Sequence, residues 1–355
     1  MQNRKCSRRD LLKTTAMVAV STIFAEPLKA AAPEPAPVTP ALIAAARKEG
    51  KIAFHTALDV QIAEKLGRAF EAKYPGVAVR VERSGSERIF QRIGQEQDSH
   101  IFSVDVVCSL DPAHFLFWKR SGLFTPYVPE DAARQFKPEY VDVDGMYATV
   151  CAWLSVIGYN TDLVKSQDAP KSFSDLLDSK WMGKIVKAHP SYSGVIMTAT
   201  FQMVQLFGWE YLEKLAKQKV LQVQSALDPP KKVALGERAV MADGNDMDLV
   251  LLRERGRPVQ IVYPIEGSPL IIGSSGVFKS APNPNAARLF QNFLFGVDGQ
   301  QIMVDTFALR SFHALVKDKP GRTPLSEIKL LKSDPAAIEA QSEEIKARYT
   351  KLFGV

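Results

Sequence analysis

Residues 51–86 read KIAFHTALDVQIAEKLGRAFEAKYPGVAVRVERSGS, and this stretch decides the fold class. A short apolar run at 51–54 is followed by an amphipathic helix pattern at 60–74, which ends at Pro75-Gly76. A β-branched run at 77–81 comes next. Helices that alternate with short apolar strands are typical of βαβ units, so the sequence predicts an α/β fold with parallel strands.

The same alternation continues with a helix pattern at 87–97 and an apolar strand at 104–108. Three successive strands therefore end in short polar loops. Because the carboxyl ends of parallel strands meet at one edge of an open sheet, where ligands bind, we predict that these loops contact a ligand. Their candidate binding residues are His55, Thr56, Ser84, Gly85, Ser86, Ser109 and Asp111.

A second block of the chain has its own alternation of strands and helices. We predict strands at 147–159, 184–188, 259–263 and 270–278, and helices that start at 173 after the Ser172 cap, at 194, and at 284. The loop Ser191-Tyr192-Ser193-Gly194 opens a helix that runs to about Phe207. Ser191, Tyr192 and Ser193 are therefore candidate ligand-binding residues as well.

The N-terminus has the three-part pattern of a secretory signal, which would be cleaved near residues 30–32 and place the protein in the periplasm. A basic region precedes an apolar stretch at 14–25, and the small residues Ala30-Ala31-Ala32 follow. Residues 7–13 (SRRDLLK) resemble a twin-arginine export signal; an ordinary secretory signal with two adjacent arginines is the alternative. We predict that residues 1–32 are the signal and that the Pro/Ala-rich residues 33–40 are a flexible lead.

Composition narrows the possible partners and chemistry. The chain is 46% hydrophobic and 24% charged, which is ordinary for a globular protein. Residues 1–32 hold six cations and two anions and so account for +4 of the formal net charge of +6. The rest of the chain has a net charge of only about +2, which argues against a nucleic-acid partner. Cys108 and Cys151 could form a disulfide or remain buried thiols. Because no zinc or redox motif is present, we expect no cofactor.

Several motifs resemble the type II periplasmic binding fold of the extracellular solute-binding family, which includes ferric-iron, spermidine/putrescine and phosphonate or sugar-phosphate receptors. The first is Phe70-Glu71-Ala72-Lys73-Tyr74-Pro75-Gly76-Val77, at a helix-to-strand junction. The others, in family order, are 157–161 (IGYNT), 173–177 (FSDLL) with 181–185 (WMGKI), and 276–287 (GVFKSAPNPNAA) with Phe290 and Phe293-Leu294.

This resemblance implies two discontinuous α/β lobes joined by crossover strands near 150–160 and 263–274. We expect residues 41–155 and 270–312 to form lobe 1, and residues 156–269 and 313–355 to form lobe 2. The C-terminal helix at 335–353 is expected to pack on lobe 2. The implied function is a monomeric, non-enzymatic receptor that delivers a small molecule to the membrane permease of an ABC importer.

The sequence indicates the class of ligand less directly than it indicates the fold. Residues 236–241 (GERAVM) resemble a segment that precedes two ligand tyrosines in iron-binding relatives, but the continuation 242–247 (ADGNDM) has no tyrosine. Asn245 and Asp246 lie near that place and could bind a ligand hydroxyl or amine. Trp153 is a candidate cleft residue, with core packing as the alternative. A ferric-iron receptor remains the alternative function.

We expect an anionic ligand, a carboxylate, phosphonate or sugar phosphate, because serine-glycine loops precede helices in both lobes. Helix N-termini present unpaired N–H groups and partial positive charge to an anion. An exported enzyme on the same scaffold is the alternative of another class. No nucleophile-elbow motif supports it. A ligand sensor for a membrane signalling protein is a further possibility.

Overall fold

A computed structural model describes residues 32–332 and 334–355. The predicted signal, except for residue 32, lies outside the described residues. Within them, no helix is both long and apolar enough to cross a membrane. The described chain forms the following strands: β1 (Lys51–Thr56), β2 (Ala78–Arg83), β3 (Val106–Ser109), β4 (Ala148–Leu154), β5 (Ile157–Asn160), β6 (Ile185–Ala188), β7 (Leu221–Val223), β8 (Val240–Met241), β9 (Val259–Val262), β10 (Ser268–Val277) and β11 (Leu330–Leu331).

The α-helices are α1 (Pro40–Glu49), α2 (Val60–Lys73), α3 (Ser86–Asp98), α4 (Pro112–Arg120), α5 (Glu130–Gln135), α6 (Gly194–Lys217), α7 (Asp228–Ala234), α8 (Asp246–Glu254), α9 (Pro284–Phe295), α10 (Val297–Phe307) and α11 (Pro335–Phe353). The predicted helix at 173 is a short 3-10 helix, Ser174–Leu177. Helix α6 continues beyond the predicted end near Phe207, but Gly208 interrupts it with φ 69° and ψ 176°.

The strands form two sheets, as the α/β prediction requires. In the first, the order is β11-β10-β3-β1-β2, and β4 pairs with residues 270–275 of β10. Strands β1, β2 and β3 are parallel, and Thr56 at the end of β1 is in register with Arg83 and Cys108. The loops after these three strands therefore lie side by side, as predicted from the sequence.

The second sheet has the order β7-β6-β8-β5-β9. Strands β6, β7 and β8 are parallel, whereas β5 is antiparallel to its neighbours β8 and β9. The carboxyl ends of three parallel strands thus meet at one edge of this sheet too.

The chain crosses between the sheets at two places that match the predicted crossovers. Strand β4 belongs to the first sheet, and β5, separated from it by two residues, belongs to the second. The single long strand predicted at 147–159 is therefore two strands. The return crossing runs from β9, which ends at Val262, to β10, which begins at Ser268.

Amphipathic helices cover both sheets. Helix α2 buries Ile62, Leu66 and Phe70, which lie four residues apart on one face. Phe70 packs edge-on against Phe290 of α9, with ring centroids 5.1 Å apart. These contacts place aromatic side chains of two sequence-distant helices in the core of the first sheet and fix where α2 and its N-terminus lie.

The C-terminal helix packs on the second half, where it was expected, and also contacts the first. Helix α11 contacts α6, which follows a strand of the second sheet, and also α4, which follows a strand of the first. Ile338 and Ile345 of α11 are buried in a cluster with Ala113 of α4 and with Met197 and Phe201 of α6. The helix therefore spans both halves, and the proposed lobe boundaries stay a prediction.

Both described cysteines are free and buried, so the disulfide alternative is not realised. Burial raises the pKa of the Cys108 thiol to about 12. The thiols therefore act as small apolar core groups.

Candidate ligand-binding cleft

A cleft lies between the two sheets, lined by the loops that follow six parallel strands. The loops after β1, β2 and β3 line one wall, and the loops after β6, β7 and β8 line the other. The empty space is about 760 Å³, part of it open to solvent.

Four helices of at least nine residues begin at this cleft, and Asp59 caps one of them, α2, with its side chain. The N-cap residues of the other three, Gly85 of α3, Ser193 of α6 and Asn245 of α8, line the cleft and make no side-chain hydrogen bond to their own helix. In α3 and α6 the first intrahelical bonds are donated by the amides of Ile89 and Met197. The preceding amides at 86–88 and 194–196 have no intrahelical acceptor and give each helix end partial positive charge.

The three helix ends differ in how far nearby acids offset that charge. The first turn of α6 contains no acidic residue. The first turn of α3 contains Glu87, which contacts Lys346 at 3.0 Å. The first turn of α8 contains Asp246 and Asp248. The N-termini of α6 and α3 are therefore the stronger places for an anion.

Three buried polar atoms in the cleft wall have no hydrogen-bond partner among the described residues. They are Ser86 Oγ, Trp153 Nε1 and Asn245 Oδ1, and the three side chains are 2–3% exposed. Because buried polar groups are nearly always hydrogen-bonded, unpartnered groups at a cleft indicate a place for a ligand or water. Serine and tryptophan can donate to an anion, whereas the asparagine oxygen can only accept.

Charged side chains also face the cleft. Arg83 lines it from the end of β2, Arg88 from the first turn of α3, and Asp59 from the N-cap of α2. The Arg83 Nε donates to Leu58 O at 3.3 Å, which places its guanidinium beside the first loop. The cleft thus offers two cations and one anion.

The two walls touch at small residues. A Cβ atom on Gly85 would lie 2.9 Å from the Tyr192 carbonyl oxygen, and one on Gly194 would lie 2.7 Å from the Leu110 carbonyl oxygen. Contacts this close leave no room for a side chain. Glu87 in the first turn of α3 also forms an ion pair with Lys346 of α11.

Residues 65–325 match the family of bacterial extracellular solute-binding proteins. The chain belongs to this family. A probable ABC transporter periplasmic-binding protein of Sinorhizobium fredii, y4fP, is 22% identical over 291 residues, which are 79% of this chain and 76% of that protein.

Two solved structures show the fold of this solute-binding protein. The periplasmic binding protein AfuA of Actinobacillus pleuropneumoniae, with fructose 6-phosphate bound, has a TM-score of 0.78 and 24% identity, over 86% of this chain and 99% of that one. Iron-bound HitA of Pseudomonas aeruginosa has a TM-score of 0.74 and 21% identity, over 84% and 99%. The predicted type II periplasmic binding fold is confirmed.

Some of the thirteen predicted site residues meet in the cleft of the solute-binding protein. Those that line it come from the loops after β2, β6 and β8 and from β4: Gly85, Ser86, Trp153, Tyr192, Ser193 and Asn245. For these the sequence prediction and the geometry point to the same place, and their role in binding stays a prediction.

His55, Thr56 and Ser109 lie beneath the loops and do not line the cleft. They belong to the last residues of β1 and β3 and are at most 2% exposed. Burial, with a contribution from the positive charge of Arg92, lowers the pKa of His55 to about 4. A neutral, enclosed imidazole at this position is a core group.

The remaining predicted residues serve local structure. The Ser84 amide continues the sheet ladder, and the Asp111 carboxylate accepts from a backbone amide at the start of α4. The Ser191 amide donates to His189 Nδ1 at 3.0 Å. None of the three lines the cleft.

Asp246 is enclosed in an ion cluster. It is fully buried, accepts from the Leu154 amide at 3.0 Å and pairs with Arg322 and Arg310. Its oxygens are occupied by these partners, so it positions α8 against β4 and is not available to a ligand.

Sequence reasoning missed the loop after β7, where Gln224, Ser225, Ala226 and Leu227 line the cleft. The strand has three half-buried residues, Leu221 to Val223, and too little apolar pattern to be recognised. It also missed Asp59, although an acidic residue directly before a helix pattern is a recognisable N-cap.

Proposed function

We propose that this protein is the periplasmic receptor of an ABC import system and that it captures a small anionic organic solute, a carboxylate, phosphonate or sugar phosphate, in the cleft. The observation that carries the proposal is the meeting of two uncapped helix N-termini, those of α3 and α6, from opposite walls. An anion between them would receive backbone N–H groups from both walls and would hold them together.

The cleft has further groups suited to this task. The Ser86 hydroxyl and the Trp153 indole N–H are buried without partners and can donate to an anionic oxygen. Arg83 and Arg88 add positive charge at the rim. The sugar phosphate bound by AfuA and the transporter assignment of y4fP support the ligand class and the import partner.

Ferric iron is the second candidate, favoured by the structural likeness to iron-bound HitA. Fe(III) prefers several anionic oxygen ligands. Asp59 and the half-exposed Tyr192 could supply two. Among residues 32–332 and 334–355, however, no group of three or more His, Cys, Asp and Glu side chains is placed to hold a metal ion. Amide and hydroxyl donors suit an anion better.

Capture without turnover fits the cleft better than catalysis does. Among the described residues, no hydroxyl that lines the cleft is hydrogen-bonded to a histidine, as a nucleophile and its base would be. We therefore propose a receptor in which ligand binding stabilises closure of the two walls.

The experiment is a ligand screen on purified protein from which bound solute has been removed by unfolding and refolding. The panel contains lactate, ethylphosphonate, 2-aminoethylphosphonate, glycerol 1-phosphate and fructose 6-phosphate, with fructose and putrescine as uncharged and cationic controls. A ligand at a hundred times its Kd should stabilise the fold by about 2.7 kcal/mol, visible as a rise in Tm. Stabilisation by ferric citrate but not by citrate or any panel anion would favour the iron receptor.

A further inference from the structure

The carbonyl oxygen of Asn245 is an acceptor that no described residue satisfies. Asn245 precedes α8, lines the cleft and is 3% exposed. Its Oδ1 is buried without a hydrogen-bond partner in the described chain. An acceptor in this setting requires a donor from whatever fills the cleft.

The orientation of this amide is set from one turn further along the helix. Asn245 Nδ2 donates to Asp248 Oδ2 at 2.8 Å. The ionised Asp248 carboxylate, which is present above about pH 7, can only accept, so it selects the amide nitrogen and leaves the amide oxygen for the cleft. Asp248 therefore acts as a positioning residue for Asn245.

A second acceptor faces the same space from the opposite wall. Asp59 lines the cleft, and its Oδ1 accepts from the Gln61 amide at 2.8 Å. Burial raises the pKa of Asp248 to about 7, and the negative charges of Asp59 and Asp246 act in the same direction. Asp59 and Asn245 line the same cleft, so acceptors from both walls face one space.

We propose that Asn245, oriented by Asp248, selects ligands that carry a hydrogen-bond donor, a hydroxyl or an ammonium group, in addition to their anionic group. The inference rests on the proposed function, because it assigns a second requirement to the same ligand. An anion without a donor would leave the Asn245 oxygen unsatisfied after water is displaced.

The test compares anions with and without a donor on the full chain. The pairs are propionate with lactate, ethylphosphonate with 2-hydroxyethylphosphonate and 2-aminoethylphosphonate, and methyl phosphate with glycerol 1-phosphate. Titration calorimetry measures each Kd for the parent protein and for Asn245→Ala, Asp248→Asn and Asp248→Leu. The hydroxyl and ammonium members of the phosphonate set show which donor the site prefers.

The parent protein should bind the donor-bearing member of at least one pair tenfold or more tightly, and Asn245→Ala should remove that preference. Asp248→Asn should keep the preference because its amide oxygen can still accept from Asn245, whereas Asp248→Leu should reduce it. Equal affinities within every pair, or a preference that survives Asn245→Ala, would overturn the inference and leave the proposed function standing. Failure of every anion to bind would overturn both.

If Asn245→Ala does not fold, Asn245→Asp provides the second measurement. This nearly isosteric change keeps an acceptor and adds negative charge, so it should shift selectivity in the phosphonate set from hydroxyl towards ammonium by several-fold. An unchanged ratio between these two ligands would contradict a contact between the ligand donor and residue 245.

Discussion

Closure of the cleft depends on the absence of a side chain at Gly85, and Gly85→Ala tests this directly. Gly85 has φ −68° and ψ 153°, a conformation that alanine adopts without strain. The added Cβ would lie 2.9 Å from the carbonyl oxygen of Tyr192 on the opposite wall. Real Cβ atoms essentially never approach this closely, so the walls would have to separate by several tenths of an ångström.

The expected cost follows from the energetics of overpacking. An extra methyl group in a closely packed contact usually costs about 1–3 kcal/mol. The cost falls on the closed arrangement, because moving the walls apart removes the clash. A penalty of that size on the ligand-bound state corresponds to a rise in Kd of roughly five- to 150-fold.

The assay is titration calorimetry with the tightest-binding anion of the ligand panel, accompanied by the Tm of the ligand-free protein. Gly94→Ala is the matched control, because Gly94 lies in the same helix and an added Cβ there meets nothing within 4 Å. Gly85→Ala should weaken binding with little change in ligand-free Tm, and Gly94→Ala should bind as the parent does. Unchanged affinity in Gly85→Ala would refute the claim that the walls close on each other at this residue.

Three further predictions concern single side chains. Ser193→Val should weaken anion binding tenfold or more in calorimetry because Ser193 lines the cleft at the start of α6, whereas Ser191→Val, two residues earlier and outside the cleft, should not. The pKa of His55 is lowered to about 4 in the folded protein, so this side chain stays neutral while the unfolded chain gains a proton below about pH 6.5. Denaturant titrations should therefore show that about 3 kcal/mol of the free energy of unfolding is lost between pH 6.5 and 4. The loss should be smaller in His55→Gln. Asp248 changes stability with pH in the opposite direction, because its pKa is raised to about 7 in the folded protein and stability therefore falls as pH rises from about 4 to 7. Asp248→Asn should be more stable than the parent by up to about 4 kcal/mol at pH 8 and by little at pH 4. Equal stability differences at the two pH values would contradict this.

The order of strands and helices could be predicted because it depends on local patterns. The four-residue spacing of Ile62, Leu66 and Phe70, which keeps them on one helix face, indicated α2, and proline and glycine marked its end. The loops after β1, β2 and β3 could be placed at one sheet edge because parallel strands align their carboxyl ends.

Which loop residues face the cleft could not be predicted, because this depends on the pleat and on contacts distant in sequence. His55 and Thr56 end a strand and are enclosed beneath their loop. Asp246 and Asn245 are adjacent, yet one is enclosed by Arg310 and Arg322 while the other lines the cleft. These arginines lie more than sixty residues further along the chain, so no local sequence pattern predicts their ion pairs with Asp246.

The central claim, that the N-termini of α3 and α6 hold the anionic group of the ligand, is tested most directly by a crystal structure with the tightest-binding panel anion. We predict that anionic oxygens lie about 2.7–3.2 Å from first-turn amides at 86–88 and 194–196, with the Ser86 hydroxyl donating to the same group. An anionic group bound away from both helix ends, or a bound molecule without negative charge, would contradict the account.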